Sequence, residues 1–351
     1  PTPVELVGPR PRLPGVFAGS LPDSWGRLVL DRAAGTSVRS DLDRLAFVGD
    51  RAMGALVYRP VTGGPDEAAV VKLGQLAKRA AQVIDGPVAD LPATLTRAAG
   101  SAGGARPKFV VALRGDAFHI GPPPDDAEHW LVKLAGPTDP SDTPAVESAY
   151  LAMASAAGID VPAHRLFRTG NTRALGTQRF DRIGTGPDAD RVHTLTFADL
   201  YDLGPTEATL GRISYAQLLK ATRRLAGASA VEQMFRRLCF NAIAHNRDDH
   251  VRNHAFTCGP TGLCSLAPAY DLTHATGPGG YHSIEVGPQR DPTRDDLLRI
   301  ADEAGVAEPQ VHLAAVAEAV GDWPKHAKAA GVSIRRTRAI AKDHRPNLAG
   351  S

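Results

Sequence analysis

Cysteine is scarce in this chain, with Cys239, Cys258 and Cys264 the only three in 351 residues. They form no CxxC pair and leave one odd thiol however they are matched, so we expect a reducing cytosol and thiols that serve packing. Long apolar runs are also missing. None reaches the roughly 18 residues of a membrane span, and the N-terminus lacks the basic, apolar, small-residue order of a signal peptide. No membrane partner is expected, and the location expected is cytoplasmic. A charge excess is absent too: 40 Lys plus Arg against 38 Asp plus Glu give a net charge of +2. Such a balance gives no argument for nucleic acid or membrane, and any binding surface of that kind must be local. No internal repeat is found. The initiator methionine is absent, and we read the start as processed or trimmed.

What is present is ordinary globular material, 43% hydrophobic and 22% charged, with 35 Gly and 28 Pro that we read as a GC-rich coding habit. A chain of 37.0 kDa has room for roughly two lobes. The first hundred residues mix short apolar runs with turn residues, and helices are expected around 65–84 and 90–99. GSAGGARPK at 100–108 is a small-residue loop entering the strand FVVAL, and HWLVKLAG is a second strand. Thr143 and Pro144 take the N-cap and first helical positions of a helix that Gly158 stops. Strands follow near 163–168 and 174–180. The second half is mainly helical. In ASAVEQMFRRLCFNAIAH, the residues Val231, Met234, Phe235, Leu238 and Ala242 keep helical spacing, with Ile243 adjacent. HAFTC and LCSLA around GPTG read as a hairpin, PAYDL follows, Thr293 caps a helix, and two more helices run over 308–321 and 324–342.

The dense segment HNRDDHVRN follows the long apolar helix. Asp248 and Asn253 lie five apart in a loop, so one can meet a substrate hydroxyl while the other gives oxygen to a cation. Asp271, returned by the short hairpin, completes a set of hard oxygen ligands suited to magnesium. Base, asparagine, hairpin and metal aspartate come in the order that protein kinases use, and the Asp248 to Asn253 spacing matches HRDxxxxN. Upstream, Lys133 in a strand and Glu147 on the next helix occupy the places of the phosphate-binding lysine and its carboxylate partner. The loop at 100–108 can cover phosphates through backbone N–H groups and Lys108, although it is not GxGxxGxV.

SAGGARPK, the VKL strand, ESAYLAMASAAGIDVP, QRFDR, HNRDDHVRN and PAYDL, in this order, resemble the HipA family of serine/threonine kinases, the toxins of HipA/HipB pairs. LPDSWGRLVLDR is similar as well, so the resemblance runs from about 21 to 320. It implies an α/β (α+β), protein-kinase-like, two-lobed fold, with an α/β lobe over 1–180 and a helical catalytic lobe over 181–351. It also implies ATP and Mg2+ as cofactors. Asp248 would orient or deprotonate the hydroxyl and His250 would support the loop. Asn253 and Asp271 would hold magnesium, and Lys133, supported by Glu147, would hold the α and β phosphates. Lys108, Gly103 and Gly104 would belong to the ATP loop, with Gln178, Arg179 and Phe180 as the hinge that meets adenine. Ser101 would be an autophosphorylation site whose modification expels the loop. The implied partners are a protein substrate such as an aminoacyl-tRNA synthetase and a HipB-like helix-turn-helix antitoxin. DNA would be touched indirectly through that antitoxin. Family members begin with several strands ahead of the LPDSWGR segment, whereas about twenty residues precede it here. A short chain start, or a separate small protein supplying the piece, is therefore expected.

Simpler readings exist for each residue. Asp248 and Asn253 are also good turn formers, Lys133 could snorkel from a strand, and Glu147 could answer a helix dipole. His245, His250 and His254 could instead ligate zinc or iron in a hydrolase, and His254 could face the core. An inactive ATP-binding partner module, or a kinase of a small molecule or peptide, would fit the same fold. The stretch 325–345 has seven Lys or Arg against one Asp, which reads as a solvated helix face with a minor role near DNA phosphates.

Overall fold

Apolar residues at alternate positions, rich in β-branched and aromatic types, build the sheet that carries the candidate lysines. The computed structural model describes residues 13–34, 40–62, 67–86, 96, 98–99, 106–204, 213–287 and 291–350. One six-stranded sheet contains β1 (Ala69–Val71), β2 (Lys108–Arg114), β3 (Ala117–Ile120), β4 (Glu128–Leu134), β5 (His164–Thr169) and β6 (Thr172–Gln178) in the order β1-β3-β2-β4-β6-β5. Its ladders are antiparallel. The strands expected from FVVAL, HWLVKLAG and residues 163–180 are β2, β4, β5 and β6. β1 and β3 escape the sequence reading because three or four residues are too few to show alternation.

On one face of this sheet Phe109, Val132, Leu134 and Phe167 pack with Trp25, Leu76 and Val83 in a buried apolar cluster. These last three come from α2 (Ser24–Ala34) and α4 (Leu73–Asp85); α1 (Gly15–Ala18) and α3 (Asp41–Val48) are the other helices of this region. The helix expected over 65–84 is therefore β1 followed by a helix that starts at Leu73. Of the stretch 90–99, Thr96, Ala98 and Ala99 are helical and the remainder lies outside the described residues. Gly176 sits where a Cβ would come within 2.4 Å of the Phe167 ring and 3.1 Å of Trp130. Its missing side chain lets those aromatics cross β6, so any larger residue there would force the sheet and this core apart.

The second cluster holds Leu175, Met234, Phe235, Leu238, Phe240, Leu313 and Trp323. It is built by α5 (Thr143–Ala156), α6 (Phe197–Leu200), α7 (Tyr215–Ala226), α8 (Ala228–Ile243), α9 (Arg294–Ala304), α10 (Pro309–Gly321), α11 (Trp323–Ala330) and α12 (Ile334–Ala341). The residues picked from the pattern of α8, Val231, Met234, Phe235, Leu238, Ala242 and Ile243, are all buried. α7 and α8 share one linking residue, Gly227 at φ 83°, a conformation that glycine adopts without Cβ strain. A capping box at Thr293 starts α9 as its sequence predicts, and another at Ser214 starts α7. Two short strands, β7 (Arg182–Ile183) and β8 (Asp190–Arg191), pair with each other.

Three expectations are corrected. Thr143 lies inside α5, with Asp142 in the capping position. The helix expected over 324–342 is two, divided at Gly331, whose φ of 72° ends α11 in the left-handed region. Cys258 and Cys264 are not free packing thiols but form a disulfide across the hairpin of β10 (Ala255–Cys258) and β11 (Cys264–Leu266), where the register sets them opposite each other; Cys239 alone is free and buried. The sequence hides this pairing because it depends on register, not on CxxC spacing. A third strand, β9 (His193–Thr196), completes that sheet. Among the described residues no helix is long and apolar enough to cross a membrane.

Candidate active site

β4 alternates, so while Val132 and Leu134 join the sheet core, Lys133 faces the helical side. Lys133 pairs in register with Lys108 on β2 and with Leu175 on β6, which puts these side chains on the same face. Lys133 is buried, and its Nζ donates to Glu147 Oε1 of α5 at 2.8 Å. It also makes an ion pair with Asp271. Burial alone would discharge this ammonium, but Asp271 and Glu147 outweigh it and raise its pKa. Burial likewise pushes the Asp271 carboxyl up, yet Lys133 first and Lys108 second hold it well below the carboxylate range. Asp271 has φ 55°, a left-handed position that aspartate tolerates better than most side chains.

Lys108 is not a loop residue but the first of β2, and it is buried. Its Nζ lies 3.5 Å from Asp23 Oδ2, while Trp25 Nε1 donates to the Lys108 carbonyl at 3.0 Å. The start of α2 therefore clamps the strand beside the lysine pair. Burial lowers the pKa of Lys108, and burial raises Asp23 to about 6 against the pull of Lys108. Since the folded state binds this proton more tightly than the unfolded chain, Asp23 costs stability as pH rises from about 4 to about 6. Unfolding free energies from chemical denaturation across that range are expected to fall by at most about 3 kcal/mol more in wild type than in Asp23→Asn.

The catalytic-loop candidates follow α8. Asp248 is exposed, and Asn253, in a short 3-10 turn, donates its Nδ2 to the Asp248 carbonyl at 3.0 Å. This leaves the Asn253 Oδ1 as an oxygen donor. His250 is half-buried, and its Nδ1 has no hydrogen-bond partner among the described residues.

Asp249, which the sequence pattern does not single out, is what fixes the loop. Its carboxylate is buried; it accepts from Tyr215 Oη at 2.8 Å and from Ser283 N at 2.8 Å, and it pairs with His282 Nδ1 at 2.9 Å. Asn241 Nδ2 donates to Tyr215 Oη at 2.9 Å and Asn246 Nδ2 to Asn241 Oδ1 at 2.9 Å, so α7, α8 and the loop share one network. Two adjacent aspartates look alike in sequence; only the fold turns one outward and the other in. Asp249→Ala is expected to cost on the order of 3 kcal/mol of stability, because buried donors lose their acceptor, as urea denaturation would measure.

At the expected hinge, the backbone of Gln178 ends β6 and Arg179 N donates to the His129 carbonyl at 2.8 Å. The Arg179 side chain is committed elsewhere, to a buried pair with Asp181 at 2.7 Å and to the Ala52 carbonyl at 3.1 Å. Phe180 stacks on Tyr270 with ring centroids 5.8 Å apart, next to Asp271. Ser101, Gly103 and Gly104 lie outside the described residues. His245, His250 and His254 do not form one group: His254 is buried edge-on against Tyr215, 5.9 Å between centroids. His245 instead meets His274 and Asp343.

The chain matches the family model of the HipA-like C-terminal domain over residues 100–341 and that of the HipA N-terminal domain over 3–59. It is 27% identical over 155 residues to "Putative kinase Y4dM" of Sinorhizobium fredii, a stretch that is 41% of this chain and 36% of that protein. Its fold is similar to a chain of the Shewanella oneidensis MR-1 complex of HipA, HipB and operator DNA, with TM-score 0.69 at 14% identity over 95% of this chain and 83% of that one. The Helicobacter pylori proinflammatory kinase CtkA aligns over 63% of this chain and 89% of its own, at 12% identity and TM-score 0.42. The match to the Shewanella HipA chain supports a two-lobed architecture, a mixed α/β lobe followed by a largely helical one.

Proposed function

This chain belongs to the HipA family, and we propose that it is a kinase that moves the γ-phosphoryl group of ATP to a serine or threonine hydroxyl of a protein. The observation that carries the reading is the bridge of Lys133 between Glu147 and Asp271, three residues from separate segments of the chain meeting on one face of the sheet. A snorkelling strand lysine would put its amine in water, and a glutamate answering only a helix dipole would stay exposed. Both are buried here. Phosphoryl transfer asks little covalent chemistry of a protein; it needs charge placed where the phosphates and the nucleophile come.

In this reading Lys133, held by Glu147, contacts the α and β phosphates. Asp271 and the Asn253 Oδ1 fit magnesium because both are hard oxygen donors and the Asn253 amide nitrogen is already turned to the Asp248 carbonyl. Magnesium, when bound, neutralises charge on the β and γ phosphates. Asp248, exposed beside Asn253, orients the incoming hydroxyl and takes its proton. Asp249 positions the loop from below. Phe180, stacked on Tyr270, offers an aromatic edge for the adenine side of the cleft. Ser101, just ahead of β2, is the autophosphorylation site of this proposal. A translation-related target such as an aminoacyl-tRNA synthetase and a HipB-like antitoxin are the partners; the Shewanella chain's company of HipB and operator DNA supports the second.

Intact mass and peptide mapping after incubation with Mg-ATP test the reading. The expected result is one added phosphoryl group at Ser101 in wild type and none in Asp248→Asn. Unmodified, folded protein in both would overturn it in favour of a binding module.

A further inference from the structure

His245, His274 and Asp343 come from three separate segments, yet one ligand atom of each lies within 4.8 Å of the others. His274 Nε2 and Asp343 Oδ2 are 2.8 Å apart, and the His245 ring stacks on His274 at 5.4 Å with an interplanar angle of 18°. Among the described residues neither ring nitrogen of His245 is spent on a hydrogen bond. In a tetrahedral site with bonds of about 2.0–2.2 Å the ligand atoms stand about 3.3 Å apart, so small side-chain rotations close this group around an ion.

Hydrogen bonds tie the three segments together around the group. Ala275 N donates to the His245 carbonyl at 3.1 Å and Arg247 N to the Ala275 carbonyl at 3.0 Å, which joins the segments of His245 and His274. Arg345 N donates to the Ile243 carbonyl at 2.8 Å, and His344 Nε2 meets Tyr150 Oη at 2.9 Å, which pins the segment of Asp343. His245 has φ 58°, a conformation uncommon outside glycine and tolerated where surrounding structure enforces it.

We propose that His245, His274 and Asp343 bind one divalent ion of the zinc class, open at its fourth position, which ties the C-terminal segment to the two segments carrying Asp248 and Asp271. Two imidazoles and one carboxylate suit zinc, whereas magnesium prefers all-oxygen sites. His245 stands three residues before Asp248, and His274 three after Asp271. An ion here would therefore brace both sides of the candidate cleft from behind.

The test uses untagged, chelator-treated full chain, titrated calorimetrically with Zn2+ in buffer free of ATP and magnesium. One equivalent should bind and raise the melting temperature. Asp343→Asn and His274→Gln should each lower affinity by at least the roughly 10- to 100-fold that losing an outer partner of a ligand costs. Asp271→Asn should bind Zn2+ as wild type does, which separates this site from the kinase reading. Co2+ should show the visible bands of a tetrahedral nitrogen and oxygen site in wild type and lose them in Asp343→Asn. No saturable binding, or undiminished affinity in both ligand variants, overturns the proposal.

Discussion

Asp248→Asn should slow phosphoryl transfer by about 10²- to 10⁴-fold, the usual worth of a positioned general base, while leaving the fold and ATP affinity near wild type. The side chain is exposed and the loop is anchored by its buried neighbour Asp249, so the substitution removes a proton acceptor without removing a support. Single-turnover measurement of ATP consumption, with nucleotide binding followed separately, checks both halves. A loss of binding equal to the loss of rate would mean that Asp248 holds nucleotide instead of activating a hydroxyl.

Lys133→Met should be the more damaging change to stability, costing on the order of 3–5 kcal/mol and abolishing ATP binding. The methionine fills the space of the lysine stem but leaves the buried Glu147 carboxylate unpaired and Asp271 without its nearest cation. Lys133→Met combined with Glu147→Gln should recover part of that stability and none of the binding, because the first deficit is an uncompensated charge and the second a missing one. The pH dependence follows from the same pair. Asp271 has a folded pKa below its ordinary 3.8, so its contribution is full above about pH 4 and fades only as pH falls towards the lower folded value. Lys133 has a folded pKa above its ordinary 10.5, so its contribution is full below that pH and fades only above it. Chemical denaturation of wild type and Lys133→Met should therefore differ most between these limits, and the difference should shrink outside them.

Several parts of this site are legible in the amino-acid sequence alone. The spacing of Asp248 to Asn253, the hairpin and the return to Asp271 state an order of chemical parts, and β4 and α5 announce themselves by alternation and by Pro144 at a helix start. Residues whose role depends on a distant partner are not legible in this way. Asp23 becomes a neighbour of Lys108 across 85 positions of sequence, and Asp249 gathers Tyr215, Ser283 and His282 from two directions. The His245, His250 and His254 cluster suggested by proximity in the chain dissolves because the loop turns His254 into the core and His245 towards His274. The disulfide of Cys258 with Cys264 is hidden for the same reason, since register decides it.

By itself the sequence determined the kinds of chemistry available and their order along the chain: hard oxygen ligands after a long apolar helix, a lysine in a strand, a carboxylate on the next helix. Periodicity and spacing are local properties, and local properties survive in one dimension. Only the tertiary structure decided which carboxylates are buried against a cation, which face water, and which histidines share a centre. Those outcomes rest on desolvation and on the approach of groups far apart in the chain, and neither exists until the sheet and the helices have packed.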